Sequence, residues 1–313
     1  MSGILVDVVT VWYNRGYRVA ESIGSIIQQD LKGYRVFAVD DGSTDDTGQR
    51  LEEMVEPARK NGVELIVWSK ENEGFTRSLK RCIEERTSAP FIGLHGAGDI
   101  SYPQRLSTLL ELLQKDERYV AAGCGVRVLD DRGQERSRRI VDEFPQRNLV
   151  NGVFPKPATH ECAVIRRTAY DVIGGYREFF KYAQDSDFWI RLSRIGPIVN
   201  TPTILFEKVG IPESVSADWR KSLLQRKYST LALQAGKAVD QGRPDPIPNI
   251  AANGETNWER AVDPRLLLKR FRFGRRIAAT LRDGRIAAAA GLSAEAFKAA
   301  VRSIEWTITR REY

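Results

Sequence analysis

Over the first 118 residues, short apolar runs rich in β-branched residues alternate with stretches whose apolar positions recur every three or four residues. Leu5 to Val11 reads as a buried strand, ended by the turn chemistry of Trp12-Tyr13-Asn14-Arg15-Gly16. Residues 18–29 place Val19, Ile23, Ile26 and Ile27 at helical spacing. A second run, Val36-Phe37-Ala38-Val39, passes straight into Asp40-Asp41-Gly42-Ser43, where Gly42 allows a sharp turn and Ser43 with Asp46 three residues on resembles a capping box. The alternation continues with a helix near 44–54, a strand at Val63–Val67, a helix near 75–85, a strand at Phe91–Leu94 and a helix from Pro103 to Leu113. Strand, helix, strand in that order implies right-handed crossovers between parallel strands. The pattern therefore predicts an α/β fold, a doubly wound and mostly parallel sheet with helices on both faces.

Beyond residue 118 the alternation weakens. Val120–Val128 and Cys162–Arg166 read as strands, separated by the turn Asp130-Asp131-Arg132-Gly133 and by a Pro- and Asn-bearing stretch at 144–159. Gly174-Gly175-Tyr176 closes a short helix, and Asp185–Arg194 has the acids of a helix start and the arginines of a helix end. These elements are expected to complete the sheet, giving one domain over 1–230 with halves near 1–118 and 119–230. A linker at 231–261 follows, marked by the prolines and asparagines of 241–257, and then a helical extension at 262–313.

Charge separates that extension from the rest. From Val262 onward twelve Lys and Arg face five acids, which accounts for the whole formal charge of +7. It can be a solvated helical appendage or a surface for anionic lipid headgroups or an anionic acceptor. No apolar run approaches the roughly 18 residues needed to cross a bilayer, and Met1-Ser2-Gly3-Ile4 lacks the charged start of a signal peptide, so a cytoplasmic chain is expected. Cys82, Cys124 and Cys162 are odd in number and widely spaced, which offers neither a disulfide framework nor a CxxC metal site.

In an open α/β sheet, ligands bind at the carboxyl ends of the strands. Those ends here carry Trp12, Tyr13 and Asn14; Asp40 and Asp41; Asn72, Glu73 and Gly74; and His95, Gly96, Gly98 and Asp99. An aromatic ring beside an acceptor carboxylate suits a nucleobase, which can stack on the ring and donate an N–H to the acid. Arg77, in the first turn of the third helix, could meet a phosphate or simply face solvent. The two acids could equally be turn and cap residues. Gly96-Ala97-Gly98-Asp99 is not a dinucleotide fingerprint, because the third glycine is missing and an acid stands where a pyrophosphate would approach. No Walker loop occurs, and nothing points to nucleic acid.

Read together, Val8-Val9-Thr10-Val11-Trp12-Tyr13-Asn14-Arg15, Ser22 to Gln28, Val39-Asp40-Asp41-Gly42-Ser43-Thr44-Asp45, Asn72-Glu73-Gly74-Phe75-Thr76, Ser101-Tyr102-Pro103-Gln104-Arg105-Leu106, Gly174-Gly175-Tyr176 and Gln184-Asp185-Ser186-Asp187-Phe188-Trp189 resemble a family 2 glycosyltransferase of the GT-A fold. The resemblance covers roughly residues 4–230. It implies an inverting transfer of a sugar from a nucleotide-diphosphate sugar, a UDP-sugar first, to the hydroxyl of a glycan or lipid-linked glycan. The product would belong to a cell-surface polysaccharide or lipopolysaccharide, made at the inner face of a membrane that the basic tail meets peripherally. In that scheme Tyr13, Asp40, Asp41 and Arg77 fall at donor-binding positions and Asp185 at the catalytic base. Asp187, two residues further along the helix, is expected to be structural.

At one place the chain departs from the family. The Asp-x-Asp motif, which would hold Mn²⁺ or Mg²⁺ against the diphosphate, falls on Gly96-Ala97-Gly98, leaving Asp99 as the remaining candidate ligand. Three outcomes stay open: Asp99 holds the cation through a shifted loop, cationic side chains replace it, or the chain binds a nucleotide, glycan or partner without turnover. His95 and His160 are candidate phosphate partners, and Glu161 is a candidate substrate contact.

Overall fold

The computed structural model describes residues 3–143, 158–210, 219–252, 258–263 and 266–267. In chain order it forms β1 (Val6–Trp12), α1 (Val19–Ile27), β2 (Tyr34–Asp41), α2 (Thr47–Glu53), α3 (Val55–Lys60), β3 (Glu64–Lys70), α4 (Phe75–Arg86), β4 (Phe91–Leu94), β5 (Ile100–Ser101) and α5 (Arg105–Gln114). There follow β6 (Ala121–Leu129), β7 (Glu135–Arg139), β8 (Val164–Arg166), α6 (Arg167–Val172), α7 (Gln184–Leu192), β9 (Ile198–Val209), α8 (Trp219–Asp240) and α9 (Ile247–Ala252). Every element expected over the first 114 residues is present, with α2 and α3 dividing the stretch near the second helix.

Among the described residues nine strands form one mixed sheet in the order β3-β2-β1-β4-β8-β6-β9-β5, with β7 added to β6. β1 runs parallel to β2 and β4, and β2 parallel to β3, so four strand ends open on one edge. All seven residues of β1 are buried, as expected of a central parallel strand covered by helices on both faces. α1 buries Val19, Ile23, Ile26 and Ile27, and α5 buries Leu106, Leu109, Leu110 and Leu113. β8 runs antiparallel to β4 and β6, while β9 lies parallel to β6, which makes the second half of the sheet mixed.

Two buried charges tie the strand ends in place. Asp7 in β1 accepts Arg35 Nε at 2.9 Å and the amides of Ser88 and Ala89 at 2.7 and 2.8 Å, which sets where the chain enters β4. Arg105 donates to the carbonyls of Leu94 at 3.1 Å and Cys162 at 2.8 Å and to Ser101 Oγ at 2.5 Å. It thereby clamps the end of β4 to the start of β8. All three cysteines are free and buried, as small apolar residues.

Two local expectations differ from the structure. Ser43 and Asp46 do not form a capping box: the first turn of α2 is satisfied by Asp45, whose Oδ1 accepts the Thr47 amide at 3.0 Å, while Ser43 Oγ accepts the Asn14 amide at 3.0 Å. Ser43 is needed by the neighbouring loop, and the shorter reach falls to Asp45. Within the stretch 231–261 read as a linker, α8 continues to Asp240 with Leu231, Ala232 and Leu233 buried, and α9 follows.

The chain divides into two compact units, and the described residues of the second are those from Leu223 onward. In that second unit the Tyr228 and Trp258 rings stack at 4.1 Å, Lys227 pairs with Glu259, and Gln234 receives the Asp263 amide at 2.9 Å. The basic extension from 268 onward lies outside the described residues. Among the described residues, no helix is long and apolar enough to cross a membrane.

Candidate functional site

The open edge is built from the turns that follow β1, β2, β3 and β4. After β1, Tyr13 is 48% exposed while Trp12 is buried, so the tyrosine ring faces out of the edge. Asn14 has a left-handed backbone, φ 50°, a conformation that asparagine tolerates better than most residues. Its Oδ1 accepts the Thr44 amide at 2.7 Å, and the Arg15 amide donates to Thr47 Oγ1 at 2.8 Å. The Tyr13 turn is therefore stitched to the turn after β2.

Asp40 and Asp41 leave β2 on opposite faces, as successive strand residues must. Asp40 accepts the Ser43 amide at 3.1 Å and faces α2, where a β-carbon on Gly48 would stand 2.7 Å from its Oδ2. Asp41 faces α4. Its Oδ1 receives Lys70 Nζ at 2.5 Å, the Glu73 amide at 3.0 Å and Ser78 Oγ at 2.7 Å, while its Oδ2 receives the Gly74 amide at 3.0 Å. Burial alone would raise this carboxyl, but these donors outweigh it and hold it below the usual carboxylate range. The crowding falls on Oδ1, which leaves Oδ2 with the spare accepting capacity. Arg77, more than half exposed, sits 3.5 Å from Glu73 and 3.6 Å from Glu178.

The turn after β4 is held from α1. Ser22 Oγ donates to the Asp99 carbonyl at 2.7 Å and receives the Gly98 amide at 3.2 Å. His95 Nε2 lies 3.0 Å from that same carbonyl; a carbonyl only accepts, so Nε2 carries the proton. Burial, followed by the nearby Arg105 charge, lowers the imidazole to about 3. His95 is therefore neutral at pH 7 and brings no positive charge to a phosphate.

Two arginines reach the same turn. Arg15 Nη1 donates to the Ala97 carbonyl at 2.7 Å, and Arg18 donates to the Gly98 carbonyl through Nη2 at 3.1 Å. Asp99 is buried, its Oδ1 accepting the Val209 amide at 2.9 Å. Its Oδ2 fills the space beside Gly96, 2.1 Å from where a β-carbon there would stand. Burial pushes the Asp99 carboxyl up to about 7, against the lowering influence of Lys208. Glu161 pairs with Lys208 on β9; burial would raise this acid, but Lys208 outweighs it and holds it down to about 2.

A divalent cation does not fit this turn as it stands. A hard cation at a diphosphate takes one or two carboxylates from the protein, with waters and phosphate oxygens completing the shell. Positions 96 and 98 carry no side-chain oxygen, Asp99 is committed to the Val209 amide and the Gly96 slot, and Glu161 is committed to Lys208. Among the described residues, no group of three or more His, Cys, Asp or Glu side chains could hold a metal ion.

The other predicted residues gather on α7 and the turn before β8. Asp185 lies half-buried in the first turn of α7, its Oδ1 accepting the Ser186 amide at 2.8 Å. The helix is entered through Ala183 in a left-handed conformation, φ 55°, which costs a residue with a β-carbon on the order of 1 kcal/mol or more. Asp187 is buried and paired with Arg191 at 2.7 Å and Arg177 at 3.4 Å, the structural role expected of it. His160 Nε2 meets the Tyr176 hydroxyl at 2.7 Å, and Tyr176 stacks on Phe188 of α7 at 4.5 Å.

Lys70, Arg18 and Lys208 belong to this arrangement and were not singled out from the sequence. Lys208 is the last residue but one of β9, and the β-branched and aromatic residues of that stretch are a strand signal that would have brought it to the edge.

Residues 7–174 match the model of Glycosyl transferase family 2. EpsE of Bacillus subtilis, which carries the name of a glycosyltransferase, is 31% identical over 199 residues, covering 62% of this chain and 69% of that protein. An uncharacterized glycosyltransferase of Haemophilus influenzae is 26% identical over 215 residues, 64% of each chain. Among solved structures, the mannosyltransferase PcManGT of Pyrobaculum calidifontis, in complex with GDP-Man and Mn²⁺, superimposes with a TM-score of 0.56 at 17% identity, covering 100% of this chain and 82% of that one. S. aureus TarS 1–349 in complex with UDP gives a TM-score of 0.56 at 14% identity, covering 86% and 81%. At these identities the two structures establish the shared fold.

Proposed function

Because the chain belongs to glycosyl transferase family 2, we propose that it moves a sugar from a nucleotide-diphosphate donor to a glycan hydroxyl, with inversion at the anomeric carbon. The observation that carries this reading is the common edge of β3, β2, β1 and β4, where an exposed Tyr13 ring shares stitched turns with Asp41. Tyr13 would stack on the base, and Asp41 Oδ2, the less crowded oxygen, would accept a base N–H. Arg77 would lie toward the donor. UDP and GDP donors are both supported by the solved relatives, UDP by TarS and GDP-Man by PcManGT.

Asp185 would act as the base that takes the acceptor proton. Its carboxylate is half-buried in the first turn of α7, where a carboxylate can reach an acceptor hydroxyl. His160 and Glu161 would stand on the acceptor side. The acceptor would be a glycan or lipid-linked glycan of a cell-surface polymer, with the basic C-terminal segment resting on an anionic inner membrane face.

Isothermal titration with UDP, GDP, CMP and dTDP tests the donor site. Binding of one of them, weakened roughly tenfold by Tyr13→Ala through loss of the stacked ring, is the expected result. Failure of all four to bind overturns it. Release of free nucleotide from the matching sugar donor, in the presence of membrane glycolipid, tests the transfer.

A further inference from the structure

The inference below rests on the donor-site reading and concerns its phosphate end. Relatives of this fold include one solved with Mn²⁺, yet in this chain the carboxylates at the turn after β4 are already engaged, Asp99 by the Val209 amide and Glu161 by Lys208. The two acids that do remain there, Asp99 and Glu161, already face a cation. Lys208 pairs with Glu161, and its positive charge also acts on Asp99, whose Oδ1 accepts the amide of the adjacent Val209. Lys208, Glu161 and Asp99 thus form a small cluster near the end of β4, with the ammonium paired to Glu161.

Position supports the same conclusion. Lys208 is opposite Val128 and Phe206 is opposite Val126, while Arg139 of β7 is opposite Val126 from the other side. Residues in register share a face, so Lys208 and Arg139 project to the same side of the sheet. Their charges are close enough for Arg139 to oppose the protonation of Lys208. One third of the Lys208 side chain remains exposed, and an ammonium has three donors, of which Glu161 uses one. Arg15 and Arg18 approach the same turn from β1 and the segment leading into α1.

We propose that Lys208 takes the place of the divalent cation, so that this chain binds and neutralises the donor diphosphate through an ammonium held by Glu161, without a metal ion. The Gly96 position belongs to the same adaptation. An acid there would need the space that Asp99 Oδ2 occupies, so the loss of the first motif carboxylate and the inward turn of Asp99 are one change. Lys208 is a phosphate-binding residue in this scheme, and Glu161 positions it.

The test is isothermal titration of the full chain with UDP and with GDP, in EDTA and again with Mn²⁺ or Mg²⁺. The expected result is binding in EDTA within about twofold of that with metal. Lys208→Met weakens nucleotide binding roughly 10- to 100-fold, the value of a charge-assisted hydrogen bond, while Lys208→Arg retains most of it. Because Lys208→Met strands Glu161, the double variant Lys208→Met/Glu161→Gln is measured beside it. A purely structural lysine would see binding restored in the double variant together with the melting temperature; a phosphate ligand would see only the melting temperature return. Uridine and guanosine, which lack phosphates, should bind the wild type and the double variant equally. Binding of the diphosphates only with metal, or wild-type affinity in the double variant, overturns the proposal while leaving the donor site standing. Binding of neither nucleotide in any buffer overturns the donor site and this proposal with it.

Discussion

Asp99 Oδ2 occupies the space that a side chain at Gly96 would need: a β-carbon on residue 96 would stand 2.1 Å from that oxygen, 3.1 Å from the Asp99 Cγ and 3.2 Å from the Glu161 Cβ. The glycine is required by close approach, since its backbone does not lie in the left-handed region. Gly96→Ala is expected to cost about 1–3 kcal/mol, as overpacking at a buried site does, and to lower the melting temperature by several degrees. Combining it with Asp99→Ala removes the obstructing carboxylate. The two substitutions should then cost clearly less together than the sum of each alone. Additive costs in a thermal unfolding cycle would show that the two residues do not compete for this space.

The buried pair Lys70–Asp41 makes a second prediction. The side chains are 9% and 3% exposed, and Asp41 also receives the Glu73 and Gly74 amides from the turn before α4 and the Ser78 hydroxyl. Asp41→Ala would strand both amides and leave Lys70 with Glu73 as its remaining carboxylate, at about 1–3 kcal/mol. Asp41→Asn would cost less, because one oxygen remains as an acceptor. The folded carboxyl lies below its usual value, so its contribution is present above roughly pH 4 and is lost as pH falls through the folded value. In urea titrations the gap between wild type and Asp41→Asn should be wide at pH 7 and close at strongly acid pH. A gap that stays constant would exclude the ionised pair as its source.

Much of this edge is legible in the sequence, and the reason is local. β1, β2 and β4 are mostly apolar runs that end in polar turns, so the strand ends, and with them Tyr13, Asp40, Asp41 and Asp99, can be placed without any tertiary knowledge. What could not be read was the direction and company of those groups. Nothing in Asp40-Asp41 says that one acid serves α2 and the other α4, because their partners Gly48, Lys70 and Ser78 come from other elements. His95 offers the same lesson: as a lone histidine beside glycines it suggests a phosphate ligand, whereas burial with Arg105 makes it a neutral donor to its own turn. Lys208 was passed over because it becomes visible only when β9 is aligned on β6 and Glu161 is brought in from the turn before β8.

That neutral histidine predicts how stability changes with acidity. The folded His95 value, about 3, lies below that of an unfolded histidine near 6.5, so the unfolded chain takes up the proton first. Its contribution is whole above pH 6.5 and declines as pH falls from there toward 3. The slope is at most about 1.4 kcal/mol per pH unit, hence up to about 2 kcal/mol between pH 6.5 and pH 5. Asp99, raised to about 7, acts in the opposite sense over part of this range, so the wild-type curve alone would blur the effect. His95→Asn isolates it: the variant should lose less stability than the wild type between pH 7 and pH 5 by chemical denaturation. Equal losses would mean that the imidazole is protonated in the fold.

The acids of α7 separate stability from turnover. Asp187 is buried between Arg191 and Arg177, whereas Asp185 is half-buried in the first turn of the helix beside Ser186. Asp187→Asn removes the charge that Arg191 is packed against and is expected to lower the melting temperature with little selectivity for the reaction. Asp185→Asn keeps the shape of the side chain and an acceptor for the Ser186 amide, so the fold should persist. If Asp185 takes the acceptor proton, its amide cannot, and turnover should fall by about 10²- to 10⁴-fold, the usual value of a general base. Nucleotide affinity should remain that of the wild type, because the group acts on the acceptor. Normal turnover in that variant would remove Asp185 as the base, and a parallel loss of nucleotide affinity would place it on the donor side instead.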